Sequence, residues 1–181
     1  MRRINSAKRR PTSRPSPIPE DQADHPGSSS SKSGQQLITQ ISNHPLIEPS
    51  LRLTDKGINW LPKQLFQLSY IENLYLNDNL IEVLPERFFE KLPMLKYLDL
   101  RNNLLTEVPN RGLDVHQNLE YLLVSRNKIR ALPKELGCVK SLKGVSWHSN
   151  PLEYPEKRVL ESDDFGKVKK FLRNDFRKNC A

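Results

Sequence analysis

The chain has 181 residues, enough for one ordinary domain, with 29 Lys and Arg against 21 Asp and Glu and a net charge of +8. No apolar run reaches membrane-spanning length, none follows Arg2-Arg3 as a secretory signal core would, and Cys138 and Cys180 form no paired cluster. Together with the lack of any Asn-x-Ser/Thr acceptor, this argues against a disulfide-capped secreted protein and for the cytoplasm, with the nucleus open.

Residues 1–36 come first, as a tail. They hold five of the 14 prolines, a serine run at 28–31, and only Ile4 and Ile18 as strongly apolar aliphatic residues. So little apolar surface cannot offset the entropy of ordering, and a disordered segment is expected. The tail carries seven Lys and Arg against three acids, and Arg2, Arg3, Lys8, Arg9, Arg10 and Arg14 supply most of that excess. Residues 37–181 are expected to fold. Over 37–50, Leu37, Ile38 and Ile41 have helical spacing and suit an N-terminal cap, with Leu46 and Ile47 adding cover.

Residues 51–155 repeat one pattern. In 71–85, Ile71, Leu74, Leu76, Asn79, Ile81 and Leu84 lead to Pro85. The frame returns 24 residues later with Leu95, Leu98, Leu100, Asn103, Leu105, Val108 and Pro109. It returns again after 24 with Leu119, Leu122, Val124, Asn127, Ile129, Leu132 and Pro133. A further copy, 23 residues on, keeps Leu142, Val145, Trp147, Asn150, Leu152 and Pro155. Upstream lies a degenerate first copy with Leu51, Leu53, Ile58, Leu61 and Pro62, in which Lys56 takes the asparagine place.

Alternating apolar residues suit a short strand with one buried face, and each copy must stack on its neighbours because none can form a core alone. The asparagine amides would satisfy backbone groups at the turn that ends each strand. Leu92, Leu136 and Val139 are expected to face inward from the return segments. Residues 156–181 suit a capping helix that starts at Ser162-Asp163-Asp164. Its apolar stripe is Phe165, Val168, Phe171, Leu172 and Phe176, and its other faces are basic and solvated.

The recurring L-x-x-L-x-L-x-x-N-x-L with its leucine–proline ending resembles the leucine–proline class of leucine-rich repeats, as in plant intracellular Ras-group proteins and Ras-pathway scaffolds. Ser149-Asn150-Pro151-Leu152-Glu153-Tyr154-Pro155, followed by a helix through Lys170-Phe171-Leu172, is similar to the terminal motif of that class. The resemblance covers roughly residues 45–173. It implies an α/β leucine-rich repeat solenoid, a short horseshoe arc with parallel concave strands, convex return segments and helical caps. It also implies a non-catalytic interaction module or scaffold with no cofactor and no small-molecule substrate. Small GTPases, phosphatase subunits and cytoskeletal components are the partner types it brings, and nothing in the sequence selects among them.

The positions that alternate with the buried leucines define the concave face. Its first row is Ser50, Asn73, Tyr97, Tyr121 and Gly144; its second is Arg52, Tyr75, Asp99, Leu123 and Ser146. The third is Thr54, Asn77, Arg101, Ser125 and His148. Exposed aromatics beside arginine match the preferences of binding hot spots, so Tyr75, Tyr97, Asp99, Arg101, Tyr121, Leu123, Arg126 and His148 form the expected partner site.

A catalytic or metal site has little to stand on. His25, His44, His116 and His148 fall in four different places, and Asp55 and Asp78 read as turn residues. The alternative to a scaffold is a nucleic-acid or anionic-surface binder acting through the basic tail, where no aromatic residue interleaves for base stacking.

Overall fold

The computed structural model describes residues 32–162 and 164–179. The basic tail cluster and Asp163 lie outside them.

Five short strands, β1 (Ser50–Arg52), β2 (Asn73–Tyr75), β3 (Tyr97–Asp99), β4 (Tyr121–Leu123) and β5 (Gly144–Ser146), form one parallel sheet in sequence order. Leu51, Leu74, Leu98, Leu122 and Val145 align across it. Their side chains point inward with Leu53, Leu76, Leu100, Val124 and Trp147, which places one continuous core behind the sheet. Each fully buried aliphatic side chain contributes about 1.5–3 kcal/mol, so the repeated leucines dominate the stability of a fold whose strands are only three residues long.

The ladder continues past each strand, with Leu76 N–H donating to Asp99 O and Leu100 N–H to Leu123 O, both at 2.8 Å. The chain then reverses through a left-handed residue at the same place in every repeat: Asp55, Asp78, Asn102, Arg126 and Ser149, with φ between 53° and 59°. In all but the first repeat, where Lys56 stands, the next residue is the repeat asparagine, and it serves the turn of the preceding copy. Asn103 Oδ1 accepts from Ile81 N–H at 3.0 Å, while its Nδ2 donates to Leu76 O and Leu100 O. Asn79, Asn127 and Asn150 repeat this arrangement.

The return segments are irregular. Pro62 and Pro133, with φ near −70° and −66°, open short 3-10 turns at Lys63–Gln67 and Lys134–Gly137. Helix α2 (Phe88–Lys91) fills the corresponding place after Pro85 and buries Phe88 and Phe89. Leu92, Leu136 and Val139 are buried here as well.

Both ends are closed by helices. Helix α1 (Lys32–Ser42) covers the first repeat with Leu37 and Ile41, and it begins five residues before the expected boundary at 37. Leu46 and Ile47 do not help to close this end: they are 79% and 94% exposed. Glu48 N–H bonds Pro45 O and Tyr70 Oη donates to the same carbonyl, which fixes a turn whose tip carries both side chains outward.

At the other end, α3 (Lys157–Leu160) leads to α4 (Phe165–Asn179). Asp164 caps α4, its Oδ1 accepting from Lys167 N–H at 3.3 Å, whereas Ser162 Oγ turns back to Val159 O. Val168 and Leu172 are buried against the last repeats, and Phe165 and Phe171 pack beside them. The basic residues of α4 are not simply solvated. Lys169 Nζ donates to Leu142 O at 2.6 Å and Arg173 Nε to Gly137 O at 2.8 Å, tying the helix to backbone carbonyls. A Cβ at Gly137 would collide with the backbone of Leu172 and Arg173, so only glycine permits this approach.

Candidate functional site

On the concave face the strand register brings Asn73, Tyr97 and Tyr121 into one row and Tyr75, Asp99 and Leu123 into the next. The tyrosines make a diagonal chain, with ring centroids of Tyr75 and Tyr97 at 5.3 Å and of Tyr97 and Tyr121 at 6.1 Å. The Arg52 guanidinium caps one end, 4.1 Å from the Tyr75 ring centre. At the other end Tyr121, 40% exposed, lies over Gly144, where a Cβ would sit 3.3 Å from its Cδ1. Missing side-chain bulk at Gly144 therefore gives Tyr121 its place. Burial, and then Asp99, push the Tyr97 hydroxyl pKa above its ordinary value, so it remains a neutral donor and acceptor.

The polar residues around this chain largely hold one another. Asn73 Nδ2 donates to Ser50 Oγ, Thr54 Oγ1 to Asn77 Oδ1, and Ser125 Oγ pairs with Ser146 Oγ. Asp99 is only 2% exposed, and Arg101 grips it through Nε at 2.9 Å and Nη2 at 2.6 Å. That hydrogen bond raises the Arg101 pKa further and fixes the guanidinium in a half-exposed position. Asp99 thus faces Arg101 rather than solvent.

Of the eight expected residues, Tyr75, Tyr97, Tyr121 and Leu123 share the centre of the face, with Leu123 half-buried. Arg101 stands two residues past the end of β3, and Arg126 sits beyond the sheet on its left-handed turn, at the rim. His148 is exposed at the far side, its ring 5.9 Å from that of Trp147. Arg52 belongs to the cluster although only its outward position marked it. Its alignment with Tyr75 on the neighbouring strand was the available signal.

The other titratable groups are spread over the molecule. His116 is buried in a return segment, Asp78 is held by Asn77 and Asn102 amides that lower its pKa, and burial raises the Cys138 pKa. Among the described residues there is no group of three or more His, Cys, Asp or Glu able to hold a metal ion. None of the described helices is long and apolar enough to cross a membrane.

A family model described as "Leucine rich repeat" matches residues 50–105 and 69–129. The LRIM1/APL1C complex structure is 30% identical over 56% of this chain and 20% of its own, with a TM-score of 0.52. The Leptospira interrogans LRR protein LIC12759 is 31% identical over 59% of this chain and 26% of its own, at 0.52. The APL1 leucine-rich repeat domain is 29% identical over 57% and 28%, at 0.53. The chain therefore spans less than a third of each of these structures. No curated protein matches it.

Proposed function

Because this chain folds as a leucine-rich repeat solenoid, a class that is typically non-catalytic and mediates protein–protein interaction, we propose that it is a scaffold module that captures a protein on its concave face. The observation that carries this reading is the run of half-exposed tyrosines on a sheet where several neighbouring polar side chains already pair with one another. Rigid aromatic rings that offer apolar area at little entropic cost are the usual anchors of an interface. One of the similar structures is itself a complex, of LRIM1 with APL1C, which fits an assembly role.

Small GTPases, phosphatase subunits and cytoskeletal components are the partner types in keeping with the leucine–proline class. We further propose kinship of the stretch from Phe88-Phe89 to Arg173 with the repeat region of leucine-rich-repeat-containing protein 27, on the likeness of its motifs. The cytoplasm or nucleus is the compartment we propose, which two cysteines outside any paired cluster and the lack of Asn-x-Ser/Thr acceptors in the sequence favour.

The test is a double variant, Tyr97→Glu with Leu123→Glu. Proximity labelling in cells should lose the partners of the intact chain, while the melting temperature stays nearly unchanged because both side chains are outward. Unaltered labelling by the folded variant would sink the reading. The second reading, polyanion binding through the tail, rests on six basic residues within the first 14. Replacing them by glutamine should then abolish a salt-sensitive affinity for oligonucleotides and leave protein capture intact.

A further inference from the structure

Charge on the concave face is unevenly shared. The three outward rows contain one carboxylate, Asp99, and that group is buried and gripped by Arg101. The charges that remain toward solvent are positive: Arg52 at one end and Arg101 in the middle. The left-handed turns along the rim divide in the same sense. Repeats one and two place Asp55 and Asp78 there, whereas the next three place Asn102, Arg126 and Ser149. Asp78, held by two amides, keeps its charge and lies in the field of Arg101 and Arg126, which it offsets in part. Within repeats three to five themselves, Arg101, Arg126 and His148 face only the buried Asp99 among the carboxylates of the rows and turns, which leaves a basic edge beside the tyrosine row.

Arg101 is prepared for a ligand. Asp99 occupies Nε and Nη2, which immobilises the fork and leaves the Nη1 donors for a second carboxylate. Fixing the side chain beforehand removes part of the entropy that binding would otherwise cost.

We infer that the face takes an acidic protein segment, with an apolar side chain against Tyr97, Tyr121 and Leu123 and carboxylates on Arg101 and Arg126. This rests on the concave-face reading above and specifies the chemistry of its partner. Along β3 and its extended continuation the step from Tyr97 to Arg101 is four residues, about 13 Å at roughly 3.3 Å each. An extended partner places its acids three or four residues from its apolar anchor.

The experiment selects a displayed library of short peptides, randomised among Asp, Lys, Ser and Leu, on the full chain. Peptides that pair a leucine with Asp at that spacing should be enriched. Two variants then test the contacts. Arg126→Asn removes a charge and suits the left-handed turn, and Asp99→Ser with Arg101→Ser removes the ion pair whole, so no buried carboxylate is stranded. Together they should weaken the enriched peptides by about tenfold or more, and Tyr97→Glu should abolish binding. Lysine-rich or uncharged peptides that Tyr97→Glu abolishes would overturn the acidic partner and keep the concave site. Binding indifferent to Tyr97→Glu, or no enrichment, overturns the inference and counts against the site. Displacement of the peptides by an oligonucleotide with equal potency overturns the choice of a protein segment.

Discussion

Asn103 is worth more than its single side chain suggests. Its amide serves Ile81 N–H and the carbonyls of Leu76 and Leu100, all buried, and reaches the part-buried carbonyl of Arg101 as well. Asn103→Ala would strand several of those groups, and we expect a loss of about 3 kcal/mol in chemical denaturation. His116 offers a different test. Its Nδ1 faces Asn118 N–H and Leu119 N–H, so it must accept, and Nε2–H donates to Leu92 O. Burial holds its pKa below the ordinary histidine value, so the folded state prefers the neutral ring. The stability this contributes is full above about pH 6.5 and is lost as the pH falls toward the depressed pKa. Denaturation midpoints should decline over that window, and His116→Ala should flatten the decline. The tautomer followed from neighbours 24 residues apart in sequence, and a lone histidine in a return segment does not announce them.

The strands were readable because a period of two residues decides which side chains meet the core, and the concave rows follow from the same alternation. That alternation alone puts Tyr75, Tyr97 and Tyr121 on one face. Burial of Asp99 was not readable, since it depends on Arg101 folding back over it. The return segments resisted for a related reason: they have no period, and Phe88, Phe89 and the 3-10 turns pack by local shape. Gly137 shows the limit most plainly. Its need for hydrogen in place of a side chain arises from α4, 36 residues later, whose backbone rests directly on it. Gly137→Ala should push α4 outward and cost about 1–3 kcal/mol, the range for overpacking a core. Differential scanning calorimetry would show the lowered transition, and Gly57→Ala, where nothing lies within 4 Å, gives a comparison limited to turn strain.

Across the whole molecule, neighbouring strands pair only in sequence order, so stability is built from interfaces between successive repeats and from the two helical ends. Of the apolar residues in 37–50, Leu37 and Ile41 close the first repeat, while Leu46 and Ile47 stay outside on the turn held at the Pro45 carbonyl. The asparagines add a direction to this stack. Each reaches backwards, as Asn150 does when its Oδ1 receives Ile129 N–H from the copy before it. Asn150→Ala should therefore speed amide hydrogen exchange at Ile129, while Ile81, held by Asn103, stays protected. The consequence is one of order in time. As the chain leaves the ribosome, no repeat can finish its own turn; completion waits for the next asparagine to arrive, so the growing protein always trails one open coil.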